Sequence, residues 1–534
     1  MKKIYILIIA ACLFYTGLHA QAGTPDLSFG DSGIVEMDVK TEADLYTAAL
    51  QSDGKIIAGG SIYFKDLPEA LTKTMLLRCN PDGSIDTTFG DSGYAFTKVG
   101  NRNAVIRSMV IQNDGKILAV GYAGEYHYYD SIRNYIKLIL IRYNKNGKLD
   151  YSFGERGIAY IKIRKSNLYA TEVVLQPDGK ILVAGSLQSQ EVAGYYSTMF
   201  VARFTKNGQT DSSFYNNGHR ILYFGFYATV GGMALCPDGK ILIIGECSPK
   251  QSDNSEHYAI VKLTASGELD AGFGKNGRVI TLLPDTYTHF VNCMVLQADG
   301  KIVIGGDASN HLTYNDFTIT RFTSTGIIDS SFGKNGLSII DFGYDESLAS
   351  LVIQPDGKII AAGYSNDFWH EKEFYVLARI NQSGLLDSSF NHNGKLTTFF
   401  DMKKRASVQK VLLQPDGKII AAGFASDEYN RANVPVITRY LGDGPGIIAS
   451  AKPLVKTDPI KVFPNPATTL VQVTGLHKNM PTELIITDRM GNVLKKITTT
   501  NESFSLNIAD LRNGYYYLII QNNNLTHSVL LLKQ

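Results

Sequence analysis

The 534-residue chain carries 52 Lys and Arg against 50 Asp and Glu, a formal net charge of +2 with both signs interspersed. This balance argues against nucleic acid or an anionic membrane as the main partner. The length allows one large domain and a small one, and the 5 cysteines show no metal-ligand spacing and no close pairing.

The chain opens with Lys2 and Lys3, an apolar stretch from Ile4 to Gly17, and the small-residue site Leu18-His19-Ala20. This predicts a secretory signal peptide over residues 1–20, cleaved before Gln21; the stretch is short for a membrane span. Ile9-Ala10-Ala11-Cys12 is a weaker alternative, a lipoprotein-type box. No later apolar run approaches the ~20 residues of a transmembrane helix. Cys79, Cys236, Cys247 and Cys293 then remain and are expected to be small buried hydrophobes.

From there one stretch recurs. Its clearest copy is Leu175-Gln176-Pro177-Asp178-Gly179-Lys180-Ile181-Leu182-Val183-Ala184-Gly185. The turn glycine falls at Gly54, Gly115, Gly179, Gly239, Gly300, Gly357 and Gly417, with spacings from 57 (Gly300 to Gly357) to 64 (Gly115 to Gly179). Asp-Gly between two apolar runs predicts a hairpin, with glycine supplying the positive φ. The run after the turn is apolar at nearly every position, so this strand is expected to be covered on both faces.

Two further motifs follow each hairpin. One is Arg-x-x-x-x-Gly at the end of a third strand, as Arg142 to Gly147 and Arg203 to Gly208; Lys262 replaces the Arg once. The other is Asp-x-Ser/Thr-Phe-Gly-x-x-Gly, in full at Asp86 to Gly93, leading into a fourth strand such as Ile158 to Ile163. Four short strands per unit, repeated without a helical pattern, predict an all-β, seven-bladed β-propeller over residues 21–446. A two-sheet sandwich would not account for sevenfold internal similarity.

The order of motifs predicts how the ring closes. The chain starts with Asp26-Leu27-Ser28-Phe29-Gly30 and a fourth-type strand, Ile34 to Val39, and the last unit stops after Arg439 to Gly444. The N-terminal strand should therefore complete the seventh blade as its outer strand, removing an open edge.

These motifs resemble those of the delta-60 repeat proteins, secreted or surface proteins of bacteria, over roughly residues 23–444. They are also similar to NHL-type propellers, which place a comparable Asp-Gly hairpin between the two inner strands. Tyr215 and Asn391 in place of the glycine after Phe, and Cys236 in place of glutamine, are departures expected to weaken their turns. The resemblance implies no reaction. Motifs present in every unit are expected to be scaffold, with Asp accepting backbone N–H bonds, Phe filling the gap between blades, and Arg pairing with the next Asp, as Arg78 with Asp86. The Asp-Gly turns lack the ligand ladder of an EF-hand loop.

Beyond Gly444 a linker is predicted over 447–458, and the composition changes over 459–534. There Pro464-Asn465-Pro466, Asp488-x-x-Gly491 and Gly514-Tyr515-x-Tyr517 lie among alternating apolar residues that predict a small C-terminal β-sandwich. These motifs resemble the type A C-terminal sorting domain of the type IX secretion system. The resemblance implies Sec export to the periplasm, passage through the outer membrane, and partners in the Sec translocon and the type IX machinery. It also implies a product released or held at the cell surface, meeting the membrane only through export or anchoring.

No Ser/His/Asp order, His-Glu-x-x-His motif or metal cluster stands out, so no catalytic, cofactor or metal residue is assigned. The expected function is a surface binding or interaction module for a glycan, surface polymer or protein. The alternatives are an enzyme with one axial site, such as a polysaccharide lyase or glycoside hydrolase, and a purely structural surface protein. A ligand is expected on the loops between second and third strands, which vary and carry aromatics: Tyr126, Tyr128 and Tyr129; Tyr195 and Tyr196; Phe368, Trp369 and His370.

Overall fold

The structure is a computed structural model that describes residues 21–443 and 461–533, save 38, 40, 65–71, 101, 125–135, 162, 164–165, 190–195, 251–255, 284–287, 310–313, 371, 401–404, 427–432, 465–466, 475, 477–480, 488–492 and 523–524. The signal peptide, the linker, and Tyr126, Tyr128, Tyr129, Tyr195, Asn465, Pro466, Asp488 and Gly491 lie outside the described residues. Among the described residues every regular element is a strand and no helix is long and apolar enough to cross a membrane.

Seven four-stranded antiparallel sheets follow one another as blades. The first runs Glu42–Leu50, Ile56–Tyr63, Thr72–Cys79, Tyr94–Thr97 from inside to outside. The hairpin between its first two strands is closed by Gly54 N donating to Gln51 O (3.0 Å) and Gln51 N to Lys55 O (2.9 Å). Gly54 has φ +82, the left-handed value the motif requires. Ile56, Ile57 and Ala58 on the second strand are wholly buried, because neighbouring blades cover both faces, as the unbroken apolar run predicts.

Ring closure follows the motif count. Ile34–Glu36 pairs antiparallel with Asn433–Tyr440, the third strand of the seventh blade, in the register Ile34↔Thr438, Val35↔Ile437, Glu36↔Val436. Gly23 N donates to Leu441 O (2.7 Å) and Leu441 N to Thr24 O (2.8 Å). The inner strand of blade one packs on the strands of blade seven, and Ile420, Ala422 and Ile437 share a core with Ala43, Leu45 and Phe29.

Adjacent blades are joined at a repeated seam. The residue after each motif Phe donates its N–H to a carbonyl in the next blade: Gly90 to Asn146 (2.7 Å), Gly154 to Asn207 (2.9 Å), Gly274 to Thr325 (3.0 Å). Those glycines have φ from +51 to +57. Tyr215 and Asn391 keep the geometry, at φ +44 and +43, and still donate to Ser266 O (2.8 Å) and Ala22 O (2.9 Å). The two departures thus preserve the seam, at the steric cost of a side chain in the left-handed region.

The C-terminal segment forms two sheets. One holds Lys461–Phe463, Leu470–Thr474 and Ser503–Asn507; the other holds Val493–Thr499, Thr482–Thr487, Gly514–Asn522 and Leu525–Lys533. Val471, Val473 and Leu506 from the first meet Leu484, Ile486, Leu518, Ile520 and Leu531 from the second in one core, the predicted sandwich. Pro464 follows the first strand, and Tyr515 and Tyr517 pair with Leu532 and Leu530.

Candidate functional site

The repeated polar residues form a clamp that accounts for their recurrence. Arg78 Nε donates to Asp86 Oδ2 (2.7 Å) and its Nη1 to Lys145 O in the next blade (2.6 Å). The guanidinium lies 4.7 Å from the centre of the Phe89 ring. The lysine after the Asp-Gly turn joins in, with Lys55 Nζ 2.6 Å from Asp86 Oδ2. The same set recurs as Lys116, Asp150 and Arg142; Lys180, Asp211 and Arg203; and Lys301, Asp329 and Arg321. It closes the ring as Lys418, Asp26 and Arg439. The sequence pairing of Arg78 with Asp86 holds; the lysine partner escaped it, because the lysine reads as the start of a strand.

The axis is built from unlike residues, as a single-site enzyme would need, yet its acids serve the scaffold. Every inner strand bulges at one residue, including Tyr46, Arg107 and Asn292. Arg107 stacks 4.5 Å from the Tyr46 ring centre of the preceding blade. Asp307 Oδ1 accepts from Leu348 N (2.9 Å), Asn292 Nδ2 (2.9 Å) and Ser347 Oγ (3.2 Å). Glu246 Oε2 accepts from Val291 N (3.4 Å). Burial pushes both carboxyls up to about 7, against their hydrogen bonds. Both acids tie one blade to the next at bulged backbone.

A second concentration of unlike residues lies on the face carrying the second-to-third-strand connections, at blades five and six. Trp369, the only tryptophan of the chain, is 81% exposed and Phe368 is 55% exposed. Their turn is fixed by Asp367, whose Oδ1 accepts from Trp369 N (3.2 Å) and His370 N (3.2 Å) and whose Oδ2 meets His370 Nδ1 at 2.6 Å. Burial raises the Asp367 pKa, but the His370 ring and these N–H groups outweigh it and hold it below its ordinary value. The Tyr314 ring of blade five lies 6.1 Å from Phe368. Nearby, Tyr344, Phe374 and Phe399 form a chain with ring centres 6.2 and 4.7 Å apart. Of the predicted aromatics, Trp369 and His370 stand in this group, while Tyr196 opens the third strand of blade three, Tyr196–Phe204. Tyr314, Tyr344 and Phe399 were missed, because their connections carry no repeat signal.

Seven four-stranded repeats closed by their own N-terminus define a seven-bladed repeat propeller with an appended sandwich. The beta-propeller repeat described as a domain of unknown function, DUF5122, matches at 51–89, 112–153, 176–214, 236–273, 297–332, 354–390 and 414–444. The secretion system C-terminal sorting domain matches at 461–534. The chain is therefore a delta-60-type repeat propeller with a type IX sorting tail, exported to the cell surface or the extracellular space. No curated protein matches significantly. Among solved structures it is similar to an α-L-arabinofuranosidase, Arb93A, from Fusarium graminearum (10% identity, 62% of this chain and 91% of that one, TM-score 0.39). It is also similar to PorZ, a type IX secretion component of Porphyromonas gingivalis (8%, 95% and 82%, 0.19), and to the β-propeller domain of the Trilobed protease from Pyrococcus furiosus (9%, 78% and 98%, 0.38). Likeness at this level carries no functional weight.

Proposed function

We propose that the protein is a surface-displayed or released binding module, and that it takes a glycan or surface polymer on the aromatic face of blades five and six. Trp369 carries the reading. A single tryptophan held almost fully in solvent, on a loop braced by a buried aspartate, gains nothing for the fold. Its plane, with Phe368 and Tyr314 beside it, suits stacking against sugar rings, and variable loops on a rigid frame are where binding commonly resides. The axial enzyme reading has less support, since Asp307 and Glu246 are engaged in holding adjacent blades together.

The test is a panel of glycans and purified cell-surface polymers probed with residues 21–534. Trp369→Ala should weaken the best binder by about tenfold or more, in keeping with an aromatic anchor, and leave the melting temperature unchanged. If the wild type binds nothing on the panel, or the variant binds equally well, the face is structural.

A further inference from the structure

Three carboxylates meet at the seam between blades five and six. Asp316 opens the third strand of blade five, Asp341 follows its outer strand, and Glu346 lies on the inner strand of blade six. One oxygen from each lies within 4.8 Å of the others. Glu346 is 1% exposed. Its Oε1 accepts from Ser365 Oγ (2.8 Å) and Tyr344 N (2.9 Å). Its Oε2 is buried and accepts no hydrogen bond. A carboxylate oxygen enclosed without a partner is costly, and two further acids beside it deepen the cost.

The seam is unlike the others in sequence. Counted from the inner-strand bulge, Glu346 occupies the position of Ala43, Ala104, Leu168, Ala228, His289 and Ala406. By the same alignment of strand pairs, Asp316 stands where blades one and two hold Lys73 and Lys137, and Asp341 where blade one holds Lys98. The scaffold alone thus requires no acid at any of the three positions.

We propose that Asp316, Asp341 and Glu346 form a calcium site that pins blade five to blade six beside the aromatic face. Calcium is bound by oxygen ligands at about 2.3–2.6 Å, with water completing its shell, and tolerates irregular geometry. Three carboxylate oxygens within 4.8 Å of one another can share such an ion. Magnesium, with its shorter bonds and strict octahedron, fits a trio fixed by three separate strands less well. Lys395, whose Nζ contacts the carbonyl of Asp341 and lies 5.5 Å from the Phe342 ring, is the nearby cation that an ion would have to coexist with.

The experiment uses residues 21–534 stripped with chelator and melted at pH 7.5 with and without 5 mM calcium chloride. At the affinities of about 10⁻⁴–10⁻³ M typical of extracellular modules, the melting temperature should rise by about 1 °C or more. The same calcium should do nothing to Glu346→Gln or to Asp341→Asn. Glu346→Gln keeps the size and shape of the side chain and removes one of the three crowded acids, so its melting temperature in chelator should equal or exceed the wild type's. Asp341 is exposed, so Asp341→Asn tests the site without disturbing the core. No calcium shift in the wild type, or an undiminished shift in either variant, overturns the site.

Discussion

At the scale of single residues, the strongest constraint is the glycine facing each motif phenylalanine across a seam. A Cβ on Gly147, at φ +84, would lie 2.9 Å from both the Phe89 ring and Gly90 N. Neither neighbour has room to move, because Phe89 is fully buried and Gly90 N is bonded across the seam to Asn146 O. Gly147→Ala should destabilise by about 2–4 kcal/mol in denaturant unfolding, combining backbone strain with overpacking. Gly100, at φ +60 with nothing near its Cβ, is the control and should cost about half as much or less. The local parts of this design were legible in the chain, since Asp-Gly, Phe-Gly and the Arg–Asp pair each lie within a few residues. The acidic trio was not, because 316, 341 and 346 come from two blades and only the strand register shows that Glu346 stands where four of the other blades hold alanine.

At the scale of elements, the closing strand is held by the same clamp as its neighbours. Arg439 Nε donates to Asp26 Oδ2 (2.7 Å), and both side chains are buried. Arg439 Nη1 also reaches Pro81 O in blade one, so the N-terminal segment, the seventh blade and the first are tied at one point. Asp26→Ala leaves a buried guanidinium without its carboxylate and should cost about 3–5 kcal/mol. Asp270→Ala, in the unit where Lys262 replaces the arginine and Asp270 pairs with Lys240 (2.9 Å), should cost less than half of that. Equal losses in urea unfolding would mean that the arginine adds nothing to closure. The closing strand could be foreseen because the motif count left one outer strand missing at the end and one spare at the beginning. Its contact with blade six, through Asn391 N and Ala22 O, could not, since nothing in Gln21-Ala22-Gly23 resembles the turn it replaces.

At the scale of the molecule, two sets of acids oppose each other in their dependence on pH. Burial raises Asp26 and Asp211, but the following serine's hydroxyl and backbone N–H, the hairpin lysine and the arginine charge outweigh it. In Asp329 the Ser331 hydroxyl is the largest influence, and all three are held at about 2. Their stabilisation is present above the ordinary carboxylate pKa of ~4 and is lost as pH falls through about 2. Glu246, Asp307 and Glu346 are pushed up to about 7 by burial. Their contribution is complete below ~4 and is lost as pH rises through about 7. Melting temperature in chelator should therefore peak near pH ~4–5 and decline toward pH ~7.5. A flat or rising curve over that interval would show that the buried acids do not titrate as their surroundings require.

The propeller devotes its repeated residues to holding itself shut and leaves one face, at blades five and six, to residues that appear once. That division is tested most directly by binding to the cell-surface polymer that the wild-type chain retains best on the panel, measured for Trp369→Ala beside Arg107→Ala. Arg107 is an exposed side chain at the axis and stands for a site in the channel. The account predicts that Trp369→Ala loses about tenfold or more in affinity while Arg107→Ala binds as the wild type does. Retained binding in Trp369→Ala with loss in Arg107→Ala would contradict it and move the site to the axis.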